Sequence, residues 1–114
     1  MDLDVIESGD LCTVKLKGRL VSGEPVNQFS DAFMNALSSG HTALIVDLEA
    51  APFIDSSGIG AVVNALRVFS KAGGSVKLVK PANMVARTFK MVGVLDLFQV
   101  FDSVEEAAAA CAAS

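Results

Sequence analysis

Residues 43–60 read ALIVDLEAAPFIDSSGIG, and this stretch decides the fold. Ala43 to Leu48 is a short apolar run with β-branched Ile45 and Val46 at its centre. It shows no period-two alternation, which predicts a strand covered on both faces. Pro52 breaks the run, and Phe53-Ile54-Asp55-Ser56-Ser57-Gly58-Ile59-Gly60 follows. From Ile59 onward, Val62, Val63, Leu66 and Phe69 recur at helical spacing to about Lys71, and Gly73-Gly74 ends the helix.

Asp55, Ser56 and Ser57 therefore fall where a helix begins, and two readings apply to them. Asp and Ser are ordinary N-cap residues, because their side-chain oxygens accept hydrogen bonds from the free N–H groups of the first turn. On this account Gly58 and Gly60 only let helix and sheet approach closely. The same free N–H groups, with the positive end of the helix dipole, also favour an anion. A phosphate on Ser56 would add about −1.5 to −2 charges at neutral pH. Placed at a helix start, that charge leaves the domain folded and changes the surface a partner meets. The chain has no Tyr, so phosphoryl transfer to a hydroxyl must go to Ser or Thr.

On the N-terminal side, residues 3–7 and 11–17 read as two strands around a turn at Ser8-Gly9-Asp10. Cys12, Val14 and Leu16 alternate with Thr13, Lys15 and Lys17, and Gly18 ends the run. Residues 21–26 form a loop whose Pro25 suits the first turn of a following helix. Residues 26–38 are that helix, with Phe29, Ala32, Phe33, Ala36 and Leu37 on one face and Gly40 as its stop. On the C-terminal side, 75–79 reads as a strand and 84–92 as a helix capped by Gly93. Residues 94–101 are the last strand, and Asp102 or Ser103 with Glu105 and Glu106 opens a closing helix in capping-box fashion. The order β-β-α-β-α-β-α-β-α, without repeats or linkers, points to an α/β fold. We expect one domain over 1–114, a mixed, mostly parallel sheet of four to five strands packed with about four helices.

Composition narrows the function. The 114 residues are 52% hydrophobic and 19% charged, a balance that opposes disorder. The net charge is −4, and the nine basic residues are scattered. Direct nucleic-acid binding is therefore not expected, since it needs a clustered positive footprint; a gathering of Lys77, Arg87 and Lys90 by the fold is the one alternative left open. Cys12 and Cys111 lack metal or redox spacing, the acidic start is no signal peptide, and no segment has the roughly 20 apolar residues of a membrane span. These features fit a reducing cytoplasm, with Cys12 packed as a small hydrophobe. Phe29, Phe33, Phe69 and Phe89 read as core, Met84 and Met91 as gap-fillers, and Arg87 and Lys90 as a solvated face.

The signature Asp55-Ser56-Ser57-Gly58-Ile59-Gly60, preceded by a hydrophobic strand and followed by VVNALRVFSKAGGSVKLV, resembles that of the STAS-domain anti-sigma factor antagonists of bacteria. The likeness takes in the hairpin ending at Gly18, the segment from Val85 to Phe98 with its internal Gly93, and the closing VEEA helix. The resemblance implies a non-enzymatic, partner-switching phosphoprotein without a cofactor. The unphosphorylated antagonist binds an anti-sigma factor that is itself an ATP-using serine kinase, and a sigma factor is freed. The kinase phosphorylates the first serine of the signature, here Ser56 with Ser57 as the backup acceptor, and the partner is released. A PP2C-like phosphatase resets the switch. Partner contact falls by the same resemblance on Asp55, Ser56, Ser57, Gly58, Ile59 and Gly60, with Ser22 and Gly23 of the preceding loop. Ser57 is otherwise expected to cap the helix. Many antagonists carry an acidic pair in a G-E-L-D pattern after the hairpin; this chain reads Gly18-Arg19-Leu20-Val21.

Two other functions compete. A STAS domain also serves as a non-switching docking or scaffold subunit of a sensory complex or membrane transport system. A serine hydrolase would need a base and an orienting group beside Ser56. The single histidine, His41, sits in the turn before the 43–48 strand, near the far end of that strand, and reads as solvated. The segment is not G-x-S-x-G, and Asp47 and Glu49 lack histidine partners for a metal.

Overall fold

The alternation in Leu11–Lys17 and the apolar run from Ala43 build the centre of the sheet. The computed structural model describes residues 1–112. Among them β1 (Asp2–Ser8), β2 (Leu11–Lys17), β3 (Ala43–Asp47), β4 (Ser75–Val79) and β5 (Gln99–Phe101) lie side by side in chain order. β1 and β2 form an antiparallel hairpin, and β2 to β5 run parallel. The helices are α1 (Glu24–Ser38), α2 (Ser56–Lys71), α3 (Asn83–Val92) and α4 (Val104–Ala112). Each parallel step moves to the next strand in one direction, so crossovers of one hand place α1, α2 and α3 on the same face.

Strand period two then sorts the residues. Cys12, Val14, Leu16, Leu44, Val46, Val76 and Leu78 face those three helices and bury against Phe29, Phe33, Phe69, Val85 and Phe89. The opposite face carries Ile45 and Val79, which α4 covers with Ala107, flanked by Phe101 and Val104. That second layer explains why β3 shows no alternation: both of its faces are inside. Lys77 shares the parity of Val79, on the face away from α3. It therefore does not join Arg87 and Lys90 in a basic patch, and it is only 6% exposed.

Several local expectations need correcting. The last strand is only Gln99–Phe101, because Val94, Leu95 and Phe98 serve the core instead. Leu95–Leu97 form a 3-10 turn under the end of α3, and Phe98 turns inward, edge-on to Phe89 at 6.0 Å. α1 begins at Glu24, two residues before the expected start at 26, with Pro25 in its first turn. Met84 and Met91 fill no gap; they are 55% and 80% exposed, since α3 buries only Val85 and Phe89. His41 is not solvated but buried behind the hairpin, its Nε2 3.4 Å from Glu7 Oε1.

Candidate functional site

In a parallel sheet the loops that leave the strand ends share one edge. Here loops 18–23, 48–55 and 80–82 meet at the carboxyl ends of β2, β3 and β4. Lys80 Nζ reaches Glu49 Oε2 at 3.4 Å across two of them. The other two run parallel for a short way. Leu20 bridges Ile54: Leu20 N–H donates to the Phe53 carbonyl at 3.0 Å, and Asp55 N–H donates to the Leu20 carbonyl at 3.3 Å. Leu20 and Ile54 are buried, so Arg19 and Phe53 point outward beside each other, with Arg19 Cζ 4.7 Å from the centre of the Phe53 ring.

Asp55 is the knot of the site. As N-cap of α2 its Oδ1 accepts from Gly58 N–H at 2.8 Å, while Oδ2 accepts from Ser22 N–H at 3.0 Å. The helix start and the 18–23 loop are thus tied through one carboxylate. The Ser22 amide first, and the Gly58 amide second, hold its pKa below the ordinary carboxylate value. Ser57, expected as a cap, is instead inside the helix at its second position, because Asp55 already supplies the cap.

Gly58 closes the arrangement. A Cβ on it would run into the Leu20 carbonyl oxygen and lie 2.6 Å from Ile54 Cγ1, so only glycine lets α2 start this close to the bridge. Gly60, two residues on, would meet nothing within 4 Å.

Of the residues expected at the partner contact, Ser22, Gly23, Ser56, Ser57 and Gly60 are exposed and Asp55 is half-buried. Gly58 and Ile59 are buried, and Gly58 lies against the Leu20–Ile54 bridge. Ser56, the first residue of α2, keeps its hydroxyl free of any hydrogen bond among the described residues. Arg19 and Phe53, which border the expected contact residues in sequence, were not among them. The alternation Arg19-Leu20-Val21 was the available signal, with its one large aliphatic turned in.

His41 precedes β3 and Ser56 follows it, so the strand's length of about 3.3 Å per residue separates imidazole from hydroxyl. The described residues hold no group of three His, Cys, Asp or Glu placed to bind a metal. No helix among them is long and apolar enough to cross a membrane.

The STAS domain model matches residues 2–107, and the chain belongs to that family. A candidate anti-sigma factor antagonist of Thermotoga maritima is 29% identical over 75 residues, 66% of each chain, so the match spans just under two-thirds of that relative. The anti-sigma factor antagonist SpoIIAA in its unphosphorylated form superposes with a TM-score of 0.87 at 23% identity, covering 99% of this chain and 98% of that one. The phosphorylated form of the Bacillus SpoIIAA gives 0.77 at 24% identity, covering 95% and 97%. The fold also recurs within a murine anion transporter, with a TM-score of 0.78 at 21% identity, covering 92% of this chain and 18% of that one.

Proposed function

We propose that this chain is an anti-sigma factor antagonist that works by partner switching in the cytoplasm. Unphosphorylated, it binds an anti-sigma factor serine kinase and frees a sigma factor. Phosphorylated on Ser56, it lets the kinase go, and a PP2C-like phosphatase restores it. The observation that carries this reading is the state of Ser56: exposed, without a hydrogen bond among the described residues, and first in a helix whose cap is supplied by Asp55. A phosphate there breaks no existing bond and meets the positive end of α2. Folding is untouched, and the change falls on the surface shared by Ser22, Gly23, Ser57 and Gly60. ATP and the catalytic groups belong to the kinase; this chain contributes a hydroxyl and a binding surface, and takes neither cofactor nor metal. The likeness to a candidate antagonist from Thermotoga maritima supports the same role.

The test is affinity capture from the native lysate with wild type, Ser56→Ala and Ser56→Asp as baits, read by mass spectrometry. An ATP-binding serine kinase should be recovered on wild type and Ser56→Ala and be lost on Ser56→Asp. Recovery of one and the same transporter or scaffold protein on all three baits would overturn the switch and leave a docking module with Ser56 as a helix residue only.

A further inference from the structure

Arg19 is the charge at the site with no ion-pair partner among the described residues. The neighbouring charges are occupied. Asp55 spends both carboxylate oxygens on backbone N–H groups, and Lys80 is paired with Glu49. Glu24, at the start of α1, accepts from Gln28 Nε2 at 3.4 Å. Arg19 has no carboxylate within 4.0 Å and no hydrogen-bond acceptor among the described residues, only the Phe53 ring beneath it.

That contact has a directional consequence. An aromatic ring attracts the guanidinium charge without accepting its N–H groups in ordinary hydrogen bonds, so the donors stay available to a second group. The ring also holds the side chain in one place, so less freedom is lost when a second group binds it. Phe53 is itself fixed, because its carbonyl accepts from Leu20 and the next residue is the buried Ile54. A planar fork of donors, braced and without an acceptor, fits a planar pair of oxygens. Ser56 opens the helix that follows the Phe53 loop, three residues of chain after Phe53.

We infer that Arg19 is a specificity-determining residue of the partner contact, held by Phe53 to take a carboxylate of the anti-sigma factor. This rests on the partner-switching reading and adds to it the chemistry of the partner: the surface facing Arg19 is acidic. A partner presenting Lys or Arg there is rejected by like charge.

The experiment uses the purified serine kinase recovered on the wild-type bait. Its Kd is measured for wild type, Arg19→Lys, Arg19→Ala, Arg19→Glu, Phe53→Leu and Ser56→Asp, each at low and moderate salt, with far-ultraviolet melting curves to confirm folding. Arg19→Ala should bind about tenfold more weakly, Arg19→Glu more weakly still, and both should lose part of the salt dependence. Arg19→Lys should fall between wild type and Arg19→Ala, because it keeps the charge and loses the fork. Phe53→Leu should weaken binding through Arg19 while adding almost nothing to Arg19→Ala when the two are combined. A Glu or Asp to Arg change on the kinase should rescue Arg19→Glu. Wild-type affinity and salt dependence in both Arg19→Ala and Arg19→Glu, with Ser56→Asp still rejected, would overturn the role of Arg19 and leave the switch standing. Binding of Ser56→Asp at wild-type strength, or recovery of no kinase at all, would overturn the switch itself and the Arg19 inference with it.

Discussion

Gly58 and Gly60 sit two residues apart in the first turns of α2, and replacing each by alanine should move stability in opposite directions. Alanine in a helix is favoured over glycine by about 1 kcal/mol, and this gain applies at both positions. At Gly60 it acts alone, since an added Cβ meets nothing within 4 Å. At Gly58 the Cβ would run into the Leu20 carbonyl oxygen and come within 2.6 Å of Ile54 Cγ1. The first obstacle is backbone and cannot rotate away. The bridge that holds it is itself tied by Leu20 N–H to Phe53 and by Asp55 N–H to Leu20. Overpacking of this kind costs about 1–3 kcal/mol, and collision with fixed backbone belongs at the upper end. The net loss for Gly58→Ala is then about 2 kcal/mol. With an unfolding entropy of about 2.1 cal/mol/K per residue over 114 residues, each kcal/mol shifts Tm by about 4 °C. Gly58→Ala should therefore melt about 8 °C below wild type, and Gly60→Ala about 2–4 °C above it. Circular dichroism at 222 nm provides the assay. Equal or rising Tm for Gly58→Ala would refute the argument, because it would mean that α2 can retreat from the bridge at no cost. Gly58→Ala should also weaken capture of the kinase, since any retreat carries Ser56 away from Ser22.

Further predictions follow from single side chains. The pKa of Asp55 is lowered on folding, so its stabilising contribution is complete above the unfolded value of about 3.9 and is lost as pH falls through the lower folded value. Asp55→Ala should cost about 0.5–2 kcal/mol at neutral pH, as the loss of an N-cap does, and melts of the two proteins should converge as pH is lowered toward 2; a gap that does not change with pH would exclude this role. On α3, Phe89→Ala should cost about 3–5 kcal/mol and Met91→Ala under about 0.5, read from urea midpoints, because Phe89 is fully buried and Met91 is 80% exposed.

The residues that could be placed from sequence were those whose neighbours in the chain are also their neighbours in space. The alternation of Cys12, Val14 and Leu16, the stripe of Phe29, Phe33 and Ala36, and the glycine stop at Gly93 each depend on local period or backbone conformation. Together they carried the element order and the α/β class. Ser56 was legible for the same reason, since a serine beside Asp55 before an apolar stripe can only stand at a helix start. The exceptions mark the limit of period counting. Leu95, Leu97 and Phe98 suit a strand as well as a turn, and only the position of Phe89 decided that Phe98 goes inward. Met84 and Met91 are apolar at helical spacing, yet α3 is covered on one side alone.

By itself the sequence determined the strands, the helices and the place of the Ser56 hydroxyl at a helix start, because those follow from side-chain periodicity and from where a helix exposes its free N–H groups. The tertiary structure alone decided what surrounds that hydroxyl. Arg19 lies on Phe53, Ser22 on Asp55, and Leu20 beneath Gly58, pairs separated by roughly 30 to 40 positions in the chain. No local pattern encodes such pairs. They exist because parallel strands must deliver their loops to one edge, and the close packing that Gly58 permits brings those loops into contact.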